Sequence, residues 1–71
     1  MLSNRDIELN ELYQGKTVQF PQAYTLFVIF VREGIVYGQL QEPLTRICHL
    51  MEYDVEVFLQ LVSYNNYPVY E

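Results

Sequence analysis

Apolar residues first recur near the start of the chain at a spacing that favours a short N-terminal helix. Ser3 precedes Asp6 by three residues, which is the spacing of a capping box, and Gly15 lies where a left-handed residue would end the helix. An extended segment is the alternative, because apolar and polar residues also alternate over residues 7–10. The apolar members of the helix would be Ile7, Leu9, Leu12 and Tyr13.

The middle of the chain is predicted to form β-structure. Residues 17–20 alternate and stop at Pro21, as a short edge strand would. Residues 24–31 are rich in β-branched and aromatic side chains, which favours a strand. A three-residue loop over residues 32–34 ends in glycine, which suits a type I turn followed by a left-handed bulge, and leads into a return strand over residues 35–40. We therefore predict an antiparallel hairpin of two strands, or of three if residues 17–20 join it.

This hairpin is apolar on both faces in the register that sets Val31 opposite Ile35. One face would carry Leu26, Val28, Phe30, Val36, Gly38 and Leu40. The other face is apolar near the turn and would carry Thr25, Phe27, Ile29, Val31, Ile35, Tyr37, Gln39 and Gln41. A strand pair that is hydrophobic on both sides has to be covered on both. The alternative is that Pro21 and Gly34 punctuate a helix, which would make the protein an all-α small helical bundle.

The strongest periodicity lies near the C-terminus and predicts one long amphipathic helix. It opens at Pro43, and its apolar seam recurs at alternating spacings of four and three residues. Its opposite side is mainly acidic and includes Glu52 and Glu56. Asp54 has the side chain to cap a second, shorter helix that starts at Val55, but the unbroken seam favours a single helix. The seam residues are Leu44, Cys48, Met51, Val55, Phe58 and Val62.

The fold class predicted from these elements is α+β, with residues 1–71 as a single small domain. A short N-terminal helix and one long C-terminal helix are too little to cover both faces of the hairpin. A second copy of the chain would hide the remaining apolar surface, so we expect a homodimer. At its dimer or core seam we expect the helix seam together with the hairpin residues Phe27, Ile29, Val31, Ile35 and Tyr37.

Composition also indicates a protein that works in a complex. The 71 residues carry nine acidic and four basic side chains, a net charge of −5, so a nucleic-acid partner is not expected. Although 51% of the residues are apolar, the single cysteine and single histidine supply neither an internal disulfide nor a structural metal site. Self-association remains as the means of stabilising so small a domain. The lone thiol, the short apolar runs and the lack of a signal-peptide pattern predict a cytoplasmic protein that does not enter the membrane.

The polar residues predict neither catalysis nor a cofactor. Cys48 and His49 are adjacent on the predicted helix, so their side chains diverge and do not form a nucleophile with its base. Cys48 lies on the apolar seam and is expected to be buried and inert. Glu52 and Glu56 share a helical face but have no third ligand for a metal ion. We therefore expect no enzyme activity.

The tyrosines are the most informative surface feature. The chain has seven tyrosines and no tryptophan, and tyrosine is enriched in protein interfaces. The predicted function is a non-enzymatic, small acidic module that binds and regulates or inhibits a partner protein with a basic surface, one form of which would mimic the charge of nucleic acid. The alternative is a DNA-binding transcriptional regulator with a helix-turn-helix over residues 44–51 and 55–62. The predicted partner-binding residues are Glu52, Tyr53, Glu56, Tyr64, Tyr67 and Tyr70.

Overall fold

Two helices pack against one face of a five-stranded antiparallel sheet in the computed structural model, which describes residues 2–71. The elements in chain order are α1 (Asn4–Tyr13), β1 (Thr17–Gln19), a 3-10 turn (Pro21–Ala23), β2 (Thr25–Arg32), β3 (Ile35–Gln41), β4 (Cys48–Asp54), α2 (Val55–Tyr64) and β5 (Val69–Tyr70). The strands follow the order β4-β3-β2-β1-β5 across the sheet. Neither helix in residues 2–71 has the length and apolar character needed to span a membrane. The α+β character is as predicted, but the arrangement of elements differs in several places.

Helix α1 begins at the capping box predicted from the sequence. Ser3 Oγ accepts the backbone N–H of Asp6 at 3.1 Å, and Asp6 Oδ2 accepts the N–H of Ser3 at 3.3 Å. The chain leaves the helix through Gly15, whose φ of 77° is the left-handed conformation expected after a helix end. Leu9 is the buried apolar residue of the helix. The predicted N-terminal helix is therefore confirmed, with a narrower apolar face than the sequence indicated.

Asp6 also fastens α1 to the hairpin turn. The residue is only 3% exposed, and its carboxylate accepts the N–H of Glu33 at 2.9 Å and the N–H of Gly34 at 3.3 Å. Burial acts to raise the pKa of this carboxyl, but the hydrogen bonds from Ser3, Gly34 and Glu33 outweigh burial and hold the pKa below its ordinary value. A charged Asp6 therefore joins the helix to the turn between β2 and β3.

The predicted antiparallel hairpin is present as β2 and β3. Far from the turn its register is the predicted one, because Leu26 pairs with Leu40 and Val28 pairs with Gly38. The register then shifts by one residue at a β-bulge between Val28 and Phe30.

The bulge shortens the turn of the hairpin. Arg32 pairs with Ile35, so the turn consists of Glu33 and Gly34 alone, with φ values of 53° and 76°. The predicted three-residue loop is wrong, because the extra residue lies inside strand β2. Positive φ at both turn positions is the type I′ geometry, whose twist matches that of the flanking strands.

The bulge also decides which residues point toward the helices. Val31 pairs with Val36 and both are buried against the helices, whereas Phe30 pairs with Tyr37 on the opposite face. The predicted placement of Phe30 with Val36, and of Val31 on the other face, is therefore wrong. The cause is the extra residue, since a one-residue shift moves every later side chain to the other face.

The predicted long C-terminal helix is wrong. Residues 48–54 form strand β4, which pairs with β3 over seven residues, and α2 begins only at Val55 and is 10 residues long. Burial alternates along the second half of this strand: Met51 and Tyr53 pack against the core, and their neighbours are exposed. Pairing along β3 satisfies the backbone groups of this segment on one side and prevails over the helical spacing.

Two alternative predictions are contradicted by the same strands. The all-α bundle required a helix in residues 21–34, where the chain forms β2 and its turn. The helix-turn-helix required a helix over residues 44–51, which form a turn and most of β4. The first helix of that motif is therefore missing.

Helix α2 begins at Asp54, the cap that the sequence offered as the weaker alternative. Asp54 Oδ1 accepts the N–H of Glu56 at 2.9 Å, and the N–H of Val55 donates to the carbonyl of Gly34 at 2.9 Å. Val55 and Phe58 are buried, so the first turns of α2 cover the sheet.

The core lies between the two helices and the sheet. Phe58 of α2 packs edge-to-face on Tyr13 of α1, with 5.2 Å between ring centroids, which joins the two helices over the strands. The buried apolar residues are Leu9, Val18, Leu26, Val28, Val31, Val36, Val55 and Phe58.

Strand β1 lies inside the sheet, and its predicted place at the edge is wrong. It pairs with β2 on one side and with β5 on the other, because the C-terminal residues return in extended form to cover it. Where β1 no longer reaches β2, the side chain of Asn10 replaces it. Its amide donates to the carbonyl of Val31 at 2.9 Å and accepts the N–H of Val31 at 2.7 Å.

Candidate protein-interaction surface

Within residues 2–71, neither helix covers one of the two faces of the sheet. Both helices pack on the other face, so the side chains that point away from them on β2, β3 and β4 meet solvent. A sheet face in water normally carries polar residues, but the centre of this one is apolar. The name outer face is used below for the surface formed by Phe27, Ile29, Phe30, Ile35, Tyr37 and Leu50.

Phe27 and Leu50 lie in one row across the outer face. Both pair with Gln39 on β3, so the three side chains point to the same side of the sheet. Phe27 is 43% exposed and Leu50 is 77% exposed. Contact with a partner would remove this apolar surface from water, at a gain of roughly 25 cal/mol per Å².

Phe30 and Tyr37 form a stacked pair in the middle of the outer face. Their ring centroids are 4.8 Å apart and their planes differ by 22°. A shallow groove of 410 Å³ lies beside the pair and is lined by Ile29, Phe30, Tyr37, Gly38, Leu50, Met51 and Glu52. The stacked rings are therefore held in place next to a depression that suits an apolar side chain.

Charged residues border the outer face at the end near the hairpin turn. Asp54 and Arg32 both pair with Ile35, and Glu52 pairs with Tyr37. The three charged side chains are exposed. Two acids and one base give this end of the rim a net charge of −1, in a chain of net charge −5.

Strand β4 is an open edge of the sheet. It pairs with β3 on one side, and no strand within residues 2–71 pairs with its other side. The N–H of Val55 donates to Gly34 and the N–H of Glu42 donates to Ile47, so the odd-numbered residues bond to β3. Because bonding alternates along an antiparallel pair, the even-numbered residues direct their N–H and C=O groups outward. These residues are Cys48, Leu50 and Glu52, and Asp54 contributes its N–H alone because its carbonyl lies in the first turn of α2.

The two glutamates predicted to share an acidic helix face lie on different elements. Glu52 is exposed on β4 beside the outer face, whereas Glu56 lies in the first turn of α2. Glu56 Oε1 is 2.6 Å from Nη2 of Arg5, and both side chains are more than half exposed, so the ion pair stabilises the fold little. The two carboxylates therefore do not form one acidic surface.

The predicted partner-binding tyrosines divide into two groups. The rings of Tyr53 and Tyr67 lie 6.4 Å and 5.6 Å from that of Phe20, and both tyrosines are half-buried against the core. Burial raises the pKa of the Tyr53 hydroxyl. Tyr64 and Tyr70 are exposed by 82% and 54%. The structure therefore leaves the second group free for contact and gives the first a place in packing.

Tyr70 extends the outer face toward the far edge of the sheet. It pairs with Thr17 on β1, which in turn pairs with Phe27, so all three side chains point to the same side. Tyr64 ends α2, on the side of the sheet that carries the helices. The four tyrosines do not form a single patch.

The residues predicted for a dimer or core seam separate in the same way. Four of them, from the hairpin, belong to the outer face. Five others pack in or against the core: Val31, Met51, Val55, Phe58 and Val62. Leu44 is 94% exposed and Cys48 is also exposed, because they lie in a turn and on the edge strand rather than on a helix. The expected burial of Cys48 is therefore wrong.

The polar side chains near Cys48 serve the turn that precedes β4. Cys48 and His49 are neighbours on a strand and point to opposite faces. Glu42 accepts the Thr45 hydroxyl at 2.6 Å and lies 3.2 Å from His49 Nε2, and these two contacts lower the pKa of Glu42. Within residues 2–71, no three His, Cys, Asp or Glu side chains are grouped so as to hold a metal ion.

Leu50 and Phe30 are the outer-face residues that the sequence analysis missed. Leu50 lay off the seam of the predicted helix, although the alternation over residues 48–54 was a signal for it. Phe30 was assigned to the other face, and no residue pattern marked the bulge that moves it.

No protein-family model, curated protein or solved structure matches this chain.

Proposed function

We propose that this chain is a non-enzymatic, small acidic interaction module of the cytoplasm that binds and regulates or inhibits a partner protein through its outer face. The observation that carries the proposal is an exposed apolar surface on a domain whose own core is complete on the other side of the sheet. Exposed apolar patches with a polar rim are typical of protein contacts.

The outer face supports binding better than the acidic residues alone. Aromatic side chains at the centre of an interface contribute most of its contact energy. Phe30 and Tyr37 already stack on each other, so a partner would not have to order them, and the entropy cost of binding is reduced. The carboxylates stand at the rim, where charge speeds and orients association more than it adds affinity.

The chemistry of this surface defines the partner that fits it. Its centre requires an apolar surface on the partner that reaches Phe27 and the groove beside Tyr37. At the rim near the hairpin turn, Glu52 and Asp54 favour Lys or Arg on the partner, and Arg32 favours an acidic residue there. A partner with a uniformly charged surface, such as nucleic acid, does not fit.

Capture with matched variants tests this proposal. Phe27→Lys places a charge in the centre of the outer face, and Leu12→Lys makes the same change at an exposed leucine of α1, which is 58% exposed and away from the sheet. Each variant is checked by circular dichroism and used to capture proteins from cells of the source organism, with identification by mass spectrometry. A protein held by the wild type and the Leu12→Lys control but lost by Phe27→Lys supports the proposal. Equal capture by all three, or none, contradicts it.

Ionic strength and partner activity complete the test. A complex held by the outer face should persist as salt is raised, whereas one held by Glu52 and Asp54 should dissociate steeply. The activity of the captured protein is then measured with and without this chain. An unchanged activity would remove the regulatory part of the proposal.

A further inference from the structure

We propose that strand β4 pairs with β4 of a second copy of this chain, so that two sheets join across a two-fold axis at Leu50. This inference goes beyond the proposed function, because it concerns the open edge of the sheet rather than the outer face. It commits to one occupant, which is the same chain.

Strand β4 lacks most of the features that keep edge strands from pairing. Such strands are usually short, bulged, or carry charged residues, lysine above all, or proline. β4 has seven residues, contains neither lysine nor proline, and pairs with β3 without a register shift. Leu50 stands near its middle and is 77% exposed. The edge is therefore regular and apolar at its centre, and its two acids, Glu52 and Asp54, both lie in its C-terminal half.

The backbone of β4 is complementary to itself. Its even-numbered residues direct N–H and C=O groups outward, as the bonds of Val55 and Ile47 to their partners establish. In an antiparallel pair of two identical strands related by a two-fold axis, outward-directed residues face outward-directed residues. Pairing would then satisfy the free backbone groups of both copies at once.

Charge and hydrophobicity select among the registers that such a pair allows. An axis at Glu52 would set two carboxylates directly opposite, which is destabilising. An axis at Met51 would set the exposed Leu50 opposite Glu52. An axis at Leu50 sets the two leucines opposite each other and places Glu52 opposite Cys48, so no acids face each other.

The residues on either side of β4 fit the same register. Ile47 continues the ladder beyond the strand and is 52% exposed, and it would meet the half-buried Tyr53 of the other copy. Arg46 comes next in the chain and is exposed, but its φ of 59° and the bond from its N–H to the Glu42 carbonyl turn the chain there, so only its side chain would approach the exposed Asp54 of the other copy. These opposite charges at both ends of the pair offset locally the repulsion between two chains of net charge −5.

The size of the contact predicts a concentration-dependent dimer. A strand of seven residues is about 23 Å long. One such pair buries less than the roughly 800 Å² per partner of a standard interface. Dilution should therefore separate the two copies, and this makes the pairing measurable in both states.

A proline substitution tests the backbone pairing directly. Glu52→Pro removes an N–H that points away from β3, so the ladder within the chain keeps its bonds, whereas the pair between copies loses one. Glu52→Gln is the matched control, because it removes the charge and keeps the N–H. By sedimentation at high concentration, the wild type and Glu52→Gln should have the mass of a dimer and Glu52→Pro that of a monomer. Circular dichroism verifies that the proline variant is folded.

Amide hydrogen exchange of the wild type keeps the test decisive if the proline variant does not fold. At concentrations that give the dimer mass, the amides of Cys48, Leu50 and Glu52 should be protected, and this protection should be lost on dilution. The amides of the odd-numbered residues, which β3 holds, should stay protected in both states. Free exchange of the outward amides in the dimer overturns the proposal.

Disulfide trapping tests the register. The double variant Cys48→Ser/Leu50→Cys should cross-link readily under oxidation, because the proposed pair brings the two Cα atoms to about 5.5 Å. Cys48→Ser/Glu52→Cys should not, because its cysteines would be four residues apart along the pair. The reverse order of cross-linking overturns the axis at Leu50.

The remaining outcomes separate this inference from the proposed function. A monomer mass at every concentration overturns the pairing. A dimer that survives Glu52→Pro and is broken by Phe27→Lys would be held by the outer face and also overturns it. Failure to capture another protein contradicts the proposed function only and leaves the pairing of β4 supported or overturned by its own measurements.

Discussion

Asn10 pairs with Val31 as a neighbouring strand would. The side-chain amide of Asn10 donates to the carbonyl of Val31 at 2.9 Å and accepts its N–H at 2.7 Å, across 21 positions of sequence. Strand β1 is too short to reach this part of β2, since its last partner there is Phe27. One helix side chain therefore closes an edge that the sheet leaves open.

Replacing Asn10 should destabilise the protein. Asn10→Ala leaves both backbone groups of Val31 without a protein partner, and the expected loss in the free energy of unfolding is about 1–3 kcal/mol. Urea denaturation measures it. Glu11→Ala, an exposed neighbour on the same helix, should change the midpoint little, and equal midpoints for the two variants would contradict the role of Asn10.

Stability should fall in acid because of Asp6. Its pKa is lowered in the folded state, so its contribution is complete above the unfolded-state pKa of about 3.9 and is lost as the pH falls through the lower folded-state pKa. Asp6→Asn should be less stable than the wild type at neutral pH, and the difference should narrow in acid. Urea midpoints from neutral to acidic pH measure this. Glu8→Gln, at an exposed acid of α1, is the control, and a constant gap between Asp6→Asn and wild type would refute the prediction.

Glu33 occupies a turn position that favours asparagine. Its φ of 53° precedes Gly34 at 76°, and Asn-Gly is the preferred pair for such a turn. Glu33→Asn keeps the N–H that Asp6 accepts and should stabilise the fold by about 0.5–1 kcal/mol, part of the strain of a left-handed L-residue. Thermal unfolding measures the change. Glu33→Gln removes the same charge without that preference, so an equal gain in both variants would assign the effect to charge.

Gly38 is a strand position where a side chain does not fit. A Cβ there would lie 2.8 Å from Cδ1 of Leu26 and 3.0 Å from the carbonyl oxygen of Phe27. Leu26 is fully buried and the second contact is with a backbone atom, so Gly38→Ala should cost about 1–3 kcal/mol. The free energy of unfolding in urea measures the cost. Gln39→Ala, at the next and exposed position of β3, should cost much less.

The elements with local signals were predicted from the sequence. Ser3 and Asp6 form the capping box that their spacing indicated, and residues 25–31 of the strand predicted over residues 24–31 lie in β2. The register of the hairpin was correct up to Val28. In these places the chain nearby supplies the interaction that decides the structure.

The errors arose where distant residues decide. The helical spacing from Leu44 to Val62 was real, but residues 48–54 pair with β3, and a strand partner is not visible in a local pattern. Asp54 was the local sign of the true helix start. The same error affected the candidate site. Glu52 and Glu56 would share one acidic surface only if a single helix carried both, whereas Glu52 lies on β4 and Glu56 on α2.

The position of the bulge between Val28 and Phe30 decides which side chains of β2 face the core and which belong to the outer face. The hairpin has one extra residue, which lies in β2. A three-residue loop would place that residue at the turn instead. If the extra residue moved from β2 to the hairpin loop, Phe30 would point into the core and Val31 would point to the outer face, with no change in the sequence. Asp6 accepts hydrogen bonds from the hairpin turn and Asn10 accepts one from Val31, so helix α1 fixes the position of the bulge. Helix α1 covers little of the sheet, but it determines which apolar side chains of β2 face the solvent.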